Sequence, residues 1–397
     1  MRLYLLKISK VYNEIAIAKI IIALLLILCA VPVKALAAVG ESNTISMEGA
    51  SGQVLTEAST QQVLIEYEAD TARSVAGLSK LPGLLVLCEA VDSGMFDLTS
   101  LVQVSQEAAR ISGPTAFIEG GEAIEAAPLM KAAVMICAGD AIYALGEALF
   151  GSEAVFVSVI QERLGELGID VPYDNASGAD VKFTPRQLAL MGAELMQSPC
   201  FAAHSKFTLE EIVHKDGRKT ELVNANRMLR SYAGCTGVAT GSSQTDGYCG
   251  VFYISRGDTN LVCVVLGCKN SATRFAIATE MLNQTFSTIR AQRLATKGDV
   301  IAKDVRVIGG KRRDVNLVAK ESVVLVLEKN EPALLPVETI PKRLHAPLSA
   351  EDVVGTISYQ TADGVEKGKV ELVVQVPIEE AFLRDFIRNA ILGFLRA

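Results

Sequence analysis

The sequence predicts an α/β (α+β) protein built from a mixed helix–strand domain, a small all-β domain and a C-terminal amphipathic helix. Three observations carry this. Helical and strand patterns are interspersed from about Gln53 to Arg293. From about Lys297 onward, short β-rich runs separated by glycines and charged residues replace them. The end of the chain then reads as one helix with an apolar stripe. With 397 residues, half of them hydrophobic and 21% charged, the chain is long enough for two or three packed domains.

The first 37 residues read as an export signal. Arg2, Lys7, Lys10 and Lys19 precede an unbroken apolar run from Ile20 to Val31, Pro32 ends it, and Ala35-Leu36-Ala37 offers a small-x-small cleavage site. The run is short for a membrane span, which needs roughly 20 apolar residues. Residues 1–37 hold five of the 38 basic residues and one of the 45 acidic ones, so the remainder has a net charge of −11. An acidic chain lacks the basic face that nucleic-acid binding requires. Seven cysteines follow the leader, an odd number dispersed over a large domain, which is no disulfide framework. His204, His214 and His345 are scattered without metal-ligand spacing, so no metal and no cofactor are expected.

Within residues 38–294, Gln62–Glu66 reads as an early strand. Leu78–Ala90 is apolar and helical, provided Pro82 sits in its first turn. Ala126–Phe150 gives one or two buried helices, and Ser152 is placed to cap a helix over Glu153–Leu167. Thr184-Pro185-Arg186-Gln187 combines an N-cap threonine, a first-turn proline and a capping-box glutamine. Tyr248–Ser255 and Asn260–Gly267 form a hairpin pattern around Arg256-Gly257-Asp258-Thr259, and a helix over Ala272–Arg290 closes the domain. Residues 295–378 carry strand patterns at Ile301–Val307, Val315–Ala319, Val323–Glu328, Val353–Tyr359 and Val370–Val376. In residues 379–397, Phe382, Phe386, Ile387, Ala390, Ile391, Phe394 and Leu395 share a stripe opposite Arg384, Asp385, Arg388, Asn389 and Arg396. Such a helix suits a membrane surface better than a membrane span.

Several segments in fixed order resemble the D-alanyl-D-alanine carboxypeptidases, the low-molecular-weight penicillin-binding proteins of serine peptidase family S11. Gly151-Ser-Glu-Ala-Val-Phe with Glu162-Arg-Leu-Gly-Glu-Leu-Gly is similar to the family's helix after its second motif. Glu221-Leu-Val-Asn-Ala-Asn-Arg-Met-Leu-Arg is similar to the segment leading into its third motif. Gly247-Tyr248-Cys249 and Val264-Val265-Leu266-Gly267 are similar to the two sheet strands that follow. The resemblance implies a β-lactamase/transpeptidase-like domain with an antiparallel sheet, followed by a β domain and a terminal helix. It also implies residence at the extracytoplasmic face of a bacterial membrane, among peptidoglycan stem peptides and cell-wall enzymes.

The family attacks the penultimate D-alanine carbonyl with a serine, and a lysine one helical turn later takes the proton. A Ser-x-Asn motif supplies a relay hydroxyl and an amide, and Lys-Thr-Gly on an edge strand holds the substrate carboxylate. Here the resemblance assigns the first motif to Ala76-Gly77-Leu78-Ser79-Lys80: Lys80 fits the base, and Gly77 stands at the nucleophile. The second becomes Cys137-Ala138-Gly139, a thiol for the serine and no amide; the third becomes Ala239-Thr240-Gly241, with alanine for the lysine. No Ser-x-x-Lys, Ser-x-Asn or Lys-[Ser/Thr]-Gly occurs anywhere in the chain. The expectation is a catalytically inactive homologue that binds peptidoglycan or scaffolds wall enzymes. The alternative is an enzyme with a non-standard nucleophile: Cys137, acidified by a facing Lys80, or Ser79, expected as a surface or capping hydroxyl.

Overall fold

The computed structural model describes residues 49–382. The leader at 1–37 and residues 383–397 of the expected terminal helix lie outside the described residues.

A five-stranded antiparallel sheet organises the first part of the chain. Its strands are β1 (Gly52–Glu57), β2 (Val63–Tyr67), β3 (Cys235–Ser243), β4 (Gly247–Arg256) and β5 (Thr259–Cys268), in the order β2-β1-β5-β4-β3. The β4–β5 hairpin turns at Gly257, whose φ of +61° suits glycine. Alternate side chains of each strand face opposite ways, so the sheet buries both faces. Val54, Val251, Val262 and Val264 join one apolar cluster, and Leu55, Phe252, Cys263 and Val265 join the other. Each buried aliphatic side chain contributes on the order of 1.5–3 kcal/mol. β1 was not expected from the sequence. Gln53, Thr56 and Glu57 give it a polar appearance, but pairing to β2 and β5 buries all six residues.

The helices are α1 (Leu81–Asp92), α2 (Ala126–Ile136), α3 (Gly139–Phe150), α4 (Glu153–Glu166), α5 (Pro185–Gln197), α6 (Pro199–His204) and, after a short turn of helix at Met228–Ser231, α7 (Ser271–Thr288). Pro82 sits in the first turn of α1, where its missing N–H costs nothing. Ser152 Oγ accepts from Val155 N at 3.3 Å to cap α4, and Thr184 with Gln187 closes a capping box on α5. α5 packs on the β1–β5–β4 face carrying Val251 and Val262, and α7 on the opposite face with Ile277, Met281 and Leu282.

The second part is all β. Six strands pair in the order Leu335–Thr339, Gly355–Gln360, Glu366–Val374, Asp314–Ala319, Val300–Ile308 and Arg343–His345. Two of these, Leu335–Thr339 and Arg343–His345, sit at the edges and were not legible in the sequence. Strand Ile289–Ala295 pairs with Val323–Glu328, so helix α7 ends earlier, and β structure begins earlier, than the sequence pattern indicates. A second correction concerns the terminal helix. Glu380 bridges to Gly310 and Ala381 N donates to Gly309 O at 2.7 Å, so the backbone is extended, not helical, from Glu379 through Ala381.

Candidate functional site

Of the three degenerate motif segments, the one at Ala76–Lys80 lies between the other two: Gly77 approaches Gly241 of the edge strand β3, and Lys80 approaches Gly139. The first is a short 3₁₀ turn, Ala76–Lys80, that runs directly into α1. Asp246, in the β3–β4 turn, lies beside this segment: burial would raise its pKa, but Ser243, Ser74, Thr245 and the Ala76 backbone lower it. Gly241 lies so close to the turn that a Cβ there would fall 2.8 Å from Gly77 N and 3.3 Å from Leu78 N. Glycine is required at 241 by that approach. Gly77 is different: a side chain at this position would meet nothing within 4 Å. The position assigned to the nucleophile therefore opens on free space and carries no side chain.

The second segment joins α2 to α3. Cys137 ends α2 in the left-handed region (φ 51°, ψ 46°), Ala138 is extended, and α3 starts at Gly139. Asp140 fixes this junction. Its carboxylate accepts from Ala116 N at 2.8 Å, from Ile118 N at 3.4 Å and from Ala141 N at 2.8 Å. Gly139 N donates to Pro114 O at 2.9 Å, so the 114–118 loop is bound to the start of α3 on both sides.

Lys80 spans the two segments. It is 5% exposed, and its Cε would lie 3.1 Å, and its Nζ 3.5 Å, from a Cβ placed on Gly139. Ile111 Cγ2 would be 2.7 Å from the same Cβ. Lys80 and Ile111 thus occupy the space beside Gly139 into which a side chain at this motif position would project. Burial lowers the Lys80 pKa, while Cys137 and Asp140 oppose that shift; among the described residues Lys80 makes no ion pair. Cys137 is 2% exposed, and burial pushes its thiol up to about 11 despite the neighbouring Lys80.

Desolvation therefore outweighs the cation, and Cys137 is a thiol at neutral pH. Ser79 is buried, not a surface hydroxyl as expected. Gly178 packs against it (a Cβ there would fall 2.9 Å from Ser79 Oγ), and Tyr173 Oη donates to Ser79 O at 3.1 Å.

The third segment, Ala239-Thr240-Gly241, lies in β3 opposite Val251, Gly250 and Cys249 of β4. Ala239 is 5% exposed and belongs to the apolar cluster. Behind it stands Arg274, which sequence reasoning missed. This buried guanidinium donates from Nη1 to Gly241 O at 3.2 Å and to Cys249 O at 2.8 Å, and burial lowers its pKa to about 10. Its signal is a charged residue on the stripe that also carries Ile277, Ala278 and Met281. Among the described residues, no group of three or more His, Cys, Asp or Glu side chains is arranged to hold a metal ion.

A family model described as D-alanyl-D-alanine carboxypeptidase matches residues 39–270. The chain belongs to this family. A second model, the C-terminal domain of penicillin-binding protein 5, matches residues 290–380. The D-alanyl-D-alanine carboxypeptidase DacF of Bacillus subtilis is 28% identical over 289 residues, 71% of this chain and 73% of its own. DacC of Escherichia coli is 27% identical over 345 residues, 82% of this chain and 84% of its own. Penicillin-binding protein 5 from Haemophilus influenzae shares the fold with a TM-score of 0.70 at 21% identity, over 84% of this chain and 98% of its own. The family assignment fits the observed antiparallel sheet, its flanking helices and the all-β second part.

Proposed function

We propose that this carboxypeptidase homologue is catalytically inactive and acts at the extracytoplasmic face of a bacterial membrane, binding peptidoglycan stem peptides without turnover or scaffolding cell-wall enzymes. One observation carries the reading: the nucleophile position is Gly77, whose side-chain direction opens on free space. Removing a nucleophile from a site of this kind costs roughly a millionfold in turnover. The other groups support the same conclusion. The family's carboxylate-binding cation is replaced by the buried Ala239, and the buried Arg274 is engaged with backbone carbonyls. Lys80 keeps the general-base position, but it lies over Gly139 with no hydroxyl to activate at residue 77. A carboxylate ligand entering such a site would lose hydration without a matching charge, which favours weak, peptide-length contacts or protein partners.

The reading in which Cys137 or Ser79 replaces the serine has the burial of both side chains against it. The test is D-alanine release from a synthetic stem pentapeptide by the purified protein. No release above the buffer rate is expected. Measurable turnover that disappears in Cys137→Ala would overturn the proposal in favour of a thiol enzyme.

A further inference from the structure

Away from the cleft, α1 and α6 bring two cysteines together. Cys88 and Asp92 lie one turn apart on the same face of α1. Asp92 Oδ1 accepts from Cys200 N at 2.8 Å, and Oδ2 accepts a short hydrogen bond from Ser198 Oγ. Ser198 Oγ in turn accepts from Phe201 N at 3.1 Å, and His204 Nδ1 is 2.7 Å from Cys200 O. These contacts clamp the first turn of α6 over Asp92. With Cys200 N held on Asp92, one turn after Cys88, the two thiols become neighbours inside the same apolar cluster, and each shifts the other's pKa. Cys88 is fully buried, whereas Cys200 is 7% exposed at the edge of a six-residue helix. Both are free thiols.

We propose that Cys88 and Cys200 form a peroxide-sensitive dithiol, in which Cys200 is oxidised first and Cys88 resolves it to a disulfide stapling α1 to α6. The oxidant is hydrogen peroxide, small enough for the narrow access at Cys200. The Cys200 thiolate attacks one peroxide oxygen, the O–O bond breaks, and the departing hydroxide takes a proton to become water. Cys88 sulfur then attacks the Cys200 sulfenic sulfur. The S–O bond breaks, and the leaving hydroxide takes the Cys88 proton as a second water. Two thiols and one peroxide thus give one disulfide and two waters.

The local chemistry separates the two roles. The neighbouring Cys88 and then His204 lower the Cys200 thiol below its ordinary range, against the opposing effect of burial. Burial pushes Cys137, Cys235 and Cys268 each up to about 11, which keeps them protonated and slow to oxidise.

The test treats the reduced full chain with hydrogen peroxide at neutral pH, followed by intact mass and peptide mapping. A loss of two hydrogens, reversed by a dithiol reductant, and one cross-linked pair containing Cys88 and Cys200 are expected. In Cys88→Ala, which leaves the first step without its resolving partner, dimedone is expected to label Cys200 ahead of the other cysteines. A cross-link between a different pair, or all eight thiols of the full chain still alkylatable after peroxide, would overturn the proposal. The parent mapping decides alone if the variant does not fold.

Discussion

Replacing Gly139 with alanine adds one methyl group where Lys80 and Ile111 have already closed in. The new carbon would sit 2.7 Å from Ile111 Cγ2 and 3.1 Å from Lys80 Cε, well inside the roughly 3.5–4.0 Å of a carbon–carbon contact. Ile111 is partly buried against the main core and Lys80 is 5% exposed, so both must shift to admit the new carbon. Overpacking of this kind costs about 1–3 kcal/mol. Alanine at a helix start recovers about 0.4–1 kcal/mol by restricting the unfolded chain. The net loss is therefore on the order of 1 kcal/mol, which lowers Tm by roughly 2–4 °C in a domain of this size. Gly77→Ala is the matched control, because the same methyl group meets nothing within 4 Å there and the residue has no positive φ. It should leave Tm unchanged or raise it slightly. Scanning calorimetry of both variants reads the difference directly. If Gly139→Ala melts at or above Gly77→Ala, Lys80 and Ile111 do not fill the space beside residue 139, and the reasoning fails.

Cys137 gives the protein a stability term that depends on alkaline pH. Its folded pKa of about 11 lies above the ordinary 9.0, so the folded state holds the proton longer than the unfolded chain does. That stability is complete below pH 9 and is lost as pH rises towards 11, with a magnitude on the order of 2–3 kcal/mol. Urea unfolding at pH 8 and pH 10.5 should show a smaller decline in Cys137→Ala than in the parent; equal declines would mean that the thiol is not desolvated. Deleting residues 383–397 is expected to weaken binding to anionic phospholipid liposomes, because those residues carry most of the amphipathic stripe. Unchanged binding would remove them as a membrane contact.

Local signals were legible in the sequence. The capping box at Thr184–Gln187, the Ser152 cap, the first-turn Pro82 and the β4–β5 hairpin each depend on neighbours within a few positions, and each forms as read. Two of the segments that the resemblance singles out are neighbours in the fold, because Gly241 packs against Gly77. What stayed hidden depends on partners distant in the chain. β1 looks polar until Glu57 is seen accepting from Ser59 and Thr60 and the strand is paired on both sides. The depth of Cys137 and Ser79 is set by the loops at 114–118 and 173–178, which no local pattern connects to them. Lys80 stands where the resemblance puts the family's base, yet its lowered pKa comes from burial, which outweighs Cys137 and Asp140. The contact between Cys88 and Cys200 arises only when α6 docks on Asp92.

The central claim is the loss of acyl transfer, and the most direct test is incubation of the purified protein with a fluorescent penicillin, followed by denaturing electrophoresis and intact mass. With glycine at residue 77 and a buried, protonated Cys137, no covalent adduct is predicted. A stoichiometric adduct, mapped to Cys137, Ser79 or any other side chain, would contradict the account and restore this chain to the working enzymes of its family.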